Sequence, residues 1–282
     1  MNEYSFEAGA FRFCLGRQTK LIGVLNITPD SFSDGGRYLD PALAEKRALA
    51  MQDEGADILD IGGESSRPGA KPVSAGEEMR RILPVLKRLS KKIKIPVSVD
   101  TCKPDVAMAA LDHGAVLVND ITALGDRRMG KLVARYGASV VLMHMQGKPG
   151  TMQKAPSYRD VVKDVAGYLK KAVQRALDAG IPRTRVAVDP GFGFGKTIEH
   201  NLELLGRLDE LGVLKQPVLV GLSRKSFLGH LLGVPAEERL TASLAAAGVA
   251  IERGAHMLRV HDVSAHRQLA LLTDRTRSFR KK

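Results

Sequence analysis

Residues 95–120 read IPVSVDTCKPDVAMAALDHGAVLVND and contain the unit that decides the fold. Two short apolar runs, at 95–99 and 115–118, flank a segment at 104–112 whose apolar residues follow helical spacing. Continuous apolarity is typical of parallel strands that are covered on both faces. Gly114 follows the helical segment, where the end of a helix readily adopts left-handed backbone. The stretch therefore predicts a strand, a helix and a second parallel strand.

The same alternation continues along the chain. Further apolar runs lie at residues 21–25, 56–61, 139–143, 185–188, 217–222 and 257–260, and further helical patterns lie at 41–54, 76–91, 158–179, 199–211 and 236–253. Eight such units in about 260 residues predict a (β/α)₈ TIM barrel of the α/β class. Residues 4–15 predict a small β-hairpin that closes the bottom of the barrel. We expect one domain over residues 1–282, with the barrel at about 20–278.

Polar side chains at the strand ends distinguish a barrel from a doubly wound sheet. They follow the apolar runs one after another: Asn26, Arg67, Asp100, Asn119, His144, Asp189, Ser223, Lys225, Arg259 and His261. A doubly wound sheet would concentrate such groups at one switch point, whereas a barrel gathers them at the carboxyl ends of all its strands. The distribution favours a single mouth that is lined from every side.

Composition excludes several classes of protein. The 282 residues carry 43 Lys and Arg against 31 Asp and Glu, a net charge of +12, but they include no Trp and 5% aromatic residues. Without a stacking platform for bases, we expect no nucleic-acid binding. No apolar stretch reaches the roughly 20 residues of a membrane span, and the start has no signal-peptide pattern, so we expect a cytoplasmic protein without membrane contact. Cys14 and Cys102 are expected to be ordinary thiols.

Two carboxylates predict a pocket for a donor-rich ring. Asp100 and Asp189 each end an apolar strand, where a carboxylate is costly unless it meets a cation or N–H donors. A 2-amino-4-oxo pterin presents adjacent N–H groups, Asn119 can both donate and accept, and Lys225 could cover the ring carbonyl. The alternative, that the carboxylates are helix caps or structural ion-pair partners, stays open at this point.

A second set of residues suits an anion. Arg67, Arg259 and His261 offer donors to phosphate oxygens, and Asn26 offers an oxygen of the kind that Mg²⁺ accepts. His144 is predicted to be a packed residue of the inner wall. The segment 189–197 does not form a nucleotide phosphate loop, because a proline replaces the first required glycine. Its phenylalanines, Phe192 or Phe194, are expected to form an apolar wall.

Five motifs carry a resemblance to a known family. LNITPDSFSDGG at 25–36, GGESSRPGA at 62–70, VDPGFGFGK at 188–196, SRKSFLG at 223–229 and RVHDV at 259–263 resemble the bacterial dihydropteroate synthases. The resemblance implies a TIM-barrel enzyme of folate biosynthesis that joins 6-hydroxymethyl-7,8-dihydropterin diphosphate to 4-aminobenzoate and releases diphosphate, with Mg²⁺ as cofactor. It also implies competitive inhibition by sulfonamides and a homodimer formed by the final helix, at 263–277, and its neighbour.

The resemblance further implies roles for individual residues. The pterin pocket would comprise Asp100, Asn119, Met143, Asp189, Gly221, Lys225 and Arg259. The diphosphate site would comprise Asn26, Ser66, Arg67, Arg259 and His261, with Asn26 as the metal ligand. The 4-aminobenzoate site would comprise Pro68, Phe194, Lys225 and Ser226, with Phe32 and Asp34 closing from the first mobile loop. Ser66 stands where the family usually has Thr, so we expect looser loop packing with activity retained.

The implied chemistry needs no dedicated general base, since an arylamine is already neutral near pH 7. The catalytic residues would be Arg67, Lys225, Arg259 and His261 with Phe32 and Asp34, and Mg²⁺ with the three cationic groups would neutralise the departing diphosphate. Ser226, at a predicted helix start, would help to seat the aminobenzoate carboxylate. Two alternatives remain from the sequence: a corrinoid-linked methyltetrahydrofolate methyltransferase and a non-catalytic pterin-binding relative.

Overall fold

The strands form a closed parallel barrel and a separate hairpin. A computed structural model describes residues 2–28, 40–65 and 69–279. The hairpin consists of β1 (Tyr4–Ala8) and β2 (Phe11–Leu15). The parallel sheet contains β3 (Lys20–Asn26), β4 (Ile58–Gly62), β5 (Val97–Asp100), β6 (Leu117–Asp120), β7 (Ser139–Met143), β8 (Val186–Asp189), β9 (Leu219–Val220) and β10 (Met257–Val260), in the order β8-β7-β6-β5-β4-β3-β10-β9. A parallel bridge between Val188 and Val218 joins its two edges. The predicted (β/α)₈ barrel is confirmed.

Helices follow the strands as the pattern predicted, with local differences. They are α1 (Pro41–Asp53), α2 (Ala75–Leu89), α3 (Pro104–Asp112), α4 (Arg127–Tyr136), α5 (Val161–Asp178), α6 (Ile198–Gly206), α7 (Ser226–Leu232), α8 (Leu240–Glu252) and α9 (Val263–Arg277). The predicted helix at 199–211 ends at Gly206, beyond which the chain forms a 3₁₀ segment, Leu208–Leu214. The one at 236–253 starts with a 3₁₀ turn and becomes α-helical at Leu240. Within the described residues, no helix is both long and apolar enough to cross a membrane.

Helix α4 is part of the predicted eight-unit barrel, but the sequence pattern did not give its bounds, and a glycine lies in its interior. Gly130 weakens the helical pattern, because glycine costs about 1 kcal/mol relative to alanine inside a helix. In the structure a Cβ atom at this position would lie only 3.1 Å from the Cβ of Ala179, so the glycine lets α4 pack closely against the end of α5. Met129, Leu132 and Val133 form the buried face of α4. Tertiary packing therefore outweighs the local preference.

The hairpin closes the amino-terminal end of the barrel. Phe6, Ala8 and Leu15 pack against side chains that point inward from the barrel strands: Ile22, Ile58, Leu117, Val141, Ala187, Leu219 and Met257. Most of these residues lie at or near the start of their strands. The bottom of the barrel is thus filled with apolar side chains, and the carboxyl ends of the strands are left to form the mouth.

The packing of the hairpin predicts that two phenylalanines contribute differently to the free energy of unfolding. Phe6 is fully buried, whereas Phe11 on the neighbouring strand is 38% exposed. Phe6→Ala leaves a cavity at the base of the barrel and should lower the free energy of unfolding by about 3–5 kcal/mol. Urea denaturation measures this loss. Phe11→Ala is the matched control and should cost less than about 1 kcal/mol; equal losses in the two variants would contradict the plugging role.

Candidate active site

A cavity of about 940 Å³ opens at the carboxyl ends of the barrel strands. It is lined by all of the predicted site residues that the structure describes: Asn26, Asp100, Asn119, Met143, Asp189, Phe194, Gly221, Lys225, Ser226, Arg259 and His261. The other predicted residues, Phe32, Asp34, Ser66, Arg67 and Pro68, lie outside the described residues. The barrel thus brings together side chains from positions 26 to 261 around one space.

Arg259 connects two buried carboxylates across the mouth. Its Nε donates to Asp60 Oδ2 at 2.7 Å, and its Nη2 donates to Asp100 Oδ2 at 2.7 Å. Asp60 was not predicted as a site residue, although a carboxylate inside the apolar run of β4 was a visible signal of a buried partner. Its partner, Arg259, lies on β10, and no local sequence pattern could indicate this pairing. The guanidinium therefore fixes the position of both carboxylates.

Burial and neighbouring charges control the ionisation of this group. Burial raises the pKa of Asp100 to about 7, and the negative charges of Asp60 and Glu78 add to that effect, while Arg259 and Lys225 oppose it. Burial lowers the pKa of Arg259, but the carboxylates of Asp60 and Asp100 outweigh burial and raise the pKa above its ordinary value. Asp100 is therefore a carboxylate whose charge depends on what binds beside it.

Asn119 completes the acceptor-rich side of the cavity. Its Nδ2 donates to Asp100 Oδ1 at 3.1 Å. Its Oδ1 is buried and has no hydrogen-bond partner among residues 2–28, 40–65 and 69–279. An orphaned buried acceptor that lines a cavity marks a place where a ligand can donate.

Asp189 provides a second carboxylate at the end of β8. Its Oδ1 accepts the N–H of Gly191 at 2.7 Å. Burial raises the pKa of Asp189, although this hydrogen bond and the positive charges of Lys225 and Arg259 oppose the shift. Met143 pairs in register with Asp189 and presents an apolar surface to the same cavity. The pocket therefore combines two carboxylates, one amide and an apolar wall.

Lys225 lines the same cavity and directly follows a residue with strained backbone. Its Nζ lies 4.3 Å from the centroid of the Phe194 ring, within the range of a cation–π contact. The preceding residue, Arg224, has a φ of +56°, which is uncommon for a residue with a side chain. Its guanidinium donates to both carboxylate oxygens of Asp262 at 2.9 and 2.8 Å. This bidentate ion pair stabilises the turn that presents Lys225, and α7 begins at Ser226 as expected.

The remaining donors lie around β3 and β10. His261 Nδ1 lies 3.1 Å from Ser223 Oγ, so one ring nitrogen is engaged. Asn26 ends β3 beside Gly62, where a Cβ atom would lie 3.6 Å from Asn26 Oδ1 and 3.4 Å from Asp100 Cβ. The glycine leaves room between this amide and the carboxylate. Within the described ranges, no group of three or more His, Cys, Asp or Glu side chains is arranged to hold a metal ion.

Lys196 is a buried cation that the sequence reasoning did not assign. Its Nζ contacts His144 Nδ1 at 3.0 Å and donates to the carbonyl oxygens of Gly191 at 2.9 Å and Phe194 at 3.2 Å. Burial lowers the pKa of Lys196 to about 7, and burial together with Lys196 lowers the pKa of His144 to about 2. His144 is therefore a neutral residue of the inner wall, as its apolar neighbours had predicted.

The fold and the carboxylate-lined cavity define a barrel enzyme that binds a pterin. A family model described as pterin binding enzyme matches residues 22–261, and the chain belongs to that family.

Three proteins that the chain resembles are dihydropteroate synthases. The chain is 47% identical to the dihydropteroate synthase of Escherichia coli over 243 residues, and this alignment covers 86% of each protein. It superposes on the dihydropteroate synthase of Yersinia pestis in complex with a sulfonamide drug with a TM-score of 0.94, at 41% identity over 97% of this chain and 99% of that one. The Xanthomonas albilineans dihydropteroate synthase with 4-aminobenzoic acid superposes with a TM-score of 0.91, at 42% identity over 99% and 100% of the two chains.

The raised pKa of Asp100 predicts how stability depends on pH. The folded protein holds this proton up to about pH 7, whereas the unfolded chain releases it near about pH 3.9. Between these values the folded state binds more protons, so the contribution of Asp100 to the free energy of unfolding falls as pH rises. In urea denaturation across this window, the slope of the free energy of unfolding against pH should therefore be more positive for Asp100→Asn than for the wild type. Asp53→Asn, at an exposed position, is the matched control; the same slope in Asp100→Asn as in this control would contradict the raised pKa.

Proposed function

We propose that this protein is a dihydropteroate synthase. It joins 6-hydroxymethyl-7,8-dihydropterin diphosphate to 4-aminobenzoate, forms 7,8-dihydropteroate and releases diphosphate. The observation that carries the proposal is one cavity that combines buried acceptors, at Asp100, Asn119 and Asp189, with cationic groups, at Lys225 and Arg259. Family membership and the synthases among the relatives support it, and they favour a synthase over the corrinoid-linked methyltransferase.

The acceptor side suits the pterin ring. The ring would donate its N–H groups to Asp100, Asp189 and the orphaned Oδ1 of Asn119. The ring carbonyl would accept from Lys225, and Met143 would pack on a ring face. Gly221 would lie at the ring edge, since it lines the cavity without a side chain. Each proposed contact uses a group that lines the cavity.

The diphosphate would lie towards β3 and β10. Arg259 and His261 would donate to its oxygens, and Ser66 and Arg67, outside the described residues, are proposed to contribute from their loop. Asn26 fits a bound Mg²⁺, since the residue lines the cavity, its side chain carries an amide oxygen, and Mg²⁺ takes few protein ligands when phosphates and water supply the rest. When bound, Mg²⁺ would supply Lewis-acid neutralisation of the leaving diphosphate.

In the reaction the bond between the pterin methylene carbon and the diphosphate oxygen breaks, and a bond from that carbon to the arylamine nitrogen forms. The electron pair of the breaking bond leaves with diphosphate, whose charge Arg259, His261 and Arg67 would stabilise. The carboxylates of Asp100 and Asp189 would stabilise positive charge on the pterin as the methylene becomes cationic. The product nitrogen then loses its extra proton to water.

The 4-aminobenzoate would lie between the Phe194 ring and the Lys225 loop. The apolar ring face of Phe194 would pack on the arylamine, with Lys225 and Ser226 near its polar groups. Helix α7 has only 7 residues, so the Ser226 hydroxyl and the Lys225 ammonium, rather than the helix dipole, would attract the carboxylate. Pro68, Phe32 and Asp34, outside the described residues, are proposed to cover this substrate from the two loops.

The proposal predicts that diphosphate is released only when both substrates are present. With pterin diphosphate and Mg²⁺, release should require 4-aminobenzoate. Lys225→Ala should reduce release at least about a hundredfold, because it removes a charged donor from both substrate sites. A coupled phosphate assay measures the rates, and Lys163→Ala, an exposed lysine on α5, is the matched control. Release that is independent of 4-aminobenzoate, or absent altogether from the wild type, would contradict a synthase.

Adding a sulfonamide to the same assay tests the proposed 4-aminobenzoate site. Since the sulfonamide would occupy the aminobenzoate site, inhibition should weaken as the 4-aminobenzoate concentration rises and should not depend on the pterin concentration in that way. Inhibition that is unaffected by 4-aminobenzoate would contradict a shared site beside Phe194.

We also propose a cytoplasmic homodimer that associates through α8 and α9. The two helices pack against each other and expose apolar side chains, among them Val249, Leu271 and Leu272 at 45%, 59% and 66%. Burial of these side chains would favour association by about 25 cal/mol for each Å² removed from water. Sedimentation velocity at micromolar concentration should show a dimer, and Leu272→Glu should shift it towards monomer. A monomer in both proteins would contradict the proposal.

A further inference from the structure

The loop that carries Phe194 is held by side chains rather than by regular secondary structure. This loop, at 190–196, connects β8 to the start of α6. Tyr158 donates its hydroxyl to the carbonyl of Gly195 at 2.6 Å, and Gln153 donates to the carbonyl of Gly193 at 2.7 Å. Lys196 donates to the carbonyls of Gly191 and Phe194. The orientation of Phe194 therefore depends on a set of donors that reach the loop backbone.

The loop also lies directly against the segment that follows β7. A Cβ atom at Gly191, where φ is +69°, would lie 1.9 Å from the carbonyl oxygen of His144. A Cβ atom at Gly195, where φ is +63°, would lie 2.4 Å from the carbonyl oxygen of Gln146. The two backbones touch, and no side chain fits between them. Lys196 joins the two segments through His144.

The ammonium of Lys196 has as many N–H donors as there are acceptors around it. An ammonium has three N–H donors, and three neutral acceptors surround it: His144 Nδ1 and the two carbonyl oxygens. Lys196 is 3% exposed, so water does not supply alternatives. A neutral amine has one N–H fewer, so His144 would have to change tautomer and donate from Nδ1 to the amine, and the bonds to the two carbonyl oxygens would lose their charge assistance.

We propose that Lys196 is a positioning residue for the arylamine substrate, which holds the Phe194 loop against the His144 segment and so shapes the 4-aminobenzoate site. The inference rests on the proposed synthase function. Lys196 is at the cavity wall, but its ammonium is engaged by His144 and two carbonyl oxygens, so it would act through Phe194, whose ring centroid lies 4.3 Å from the Lys225 ammonium. Its loss should therefore weaken 4-aminobenzoate binding while the pterin pocket stays intact.

Protonation of Lys196 gives the proposal a pH dependence. The charged and titratable groups around it are His144 after β7, Tyr158 before α5, Asp189 at the end of β8 and Lys225 before α7. Burial, the largest effect, and Lys225 lower the pKa of Lys196, while Asp189 raises it, which leaves it at about 7. As pH rises through that value, Lys196 loses a donor, the loop loosens and the KM for 4-aminobenzoate should rise.

The test separates KM from kcat. At saturating pterin diphosphate, Lys196→Met should raise the KM for 4-aminobenzoate about tenfold or more, with kcat and the KM for pterin diphosphate within about twofold of wild type. Lys163→Met is the matched control, since that lysine is exposed on α5. Lys196→Gln keeps amide N–H donors and volume, and it serves if the methionine variant does not fold. Equal increases in both KM values, or an unchanged KM for 4-aminobenzoate, would overturn the proposal.

The pH dependence of the wild-type KM supplies a second readout. Its KM for 4-aminobenzoate should rise several-fold between about pH 6 and about pH 8.5, and the rise should be absent in Lys196→Gln. A flat wild-type profile would overturn the positioning role. A wild type that releases no diphosphate at any pH would instead overturn the proposed synthase function, so the two failures are distinguishable.

Discussion

The hydrogen bonds that Arg259 donates to Asp60 and Asp100 organise the mouth of the barrel. The guanidinium reaches from β10 past β3 to carboxylates on β4 and β5, both of them buried. A buried charge that loses its partner costs about 3–5 kcal/mol, so the three side chains are mutually dependent. Their arrangement fixes Asp100, which in turn accepts from Asn119. The acceptor side of the cavity is therefore in place before any substrate arrives.

This arrangement explains how one cavity can bind both a ring that donates hydrogen bonds and a diphosphate that accepts them. A pterin ring needs acceptors for its N–H groups, and a departing diphosphate needs donors and positive charge. Asp100 and Asp189 are buried acceptors of the pocket, and Lys225 and His261 line the same pocket. Because the groups are held by hydrogen bonds and a strained turn at Arg224, little reorganisation is needed during the reaction.

The sequence was sufficient for the barrel and for most of the cavity, because both follow from local signals. Apolar runs located the eight strands to within two residues at each end, and the polar residue after each run pointed to the mouth. Asp60 and Lys196 were not assigned, since their roles depend on partners, Arg259 and His144, that are distant in sequence. The single-domain organisation, the individual site roles and the roles of Phe32, Asp34, Ser66, Arg67 and Pro68 stay predictions.

The central claim is that a carboxylate-lined barrel mouth binds a pterin ring, and a binding titration tests it most directly. Isothermal titration of 6-hydroxymethylpterin should give one site per chain for the wild type. It should give the same affinity for Asp209→Asn, whose side chain is 60% exposed. Asp189→Asn should bind at least about a hundredfold more weakly, because it replaces a buried charged acceptor. Absence of binding by the wild type, or equal affinity in Asp189→Asn, would contradict the account.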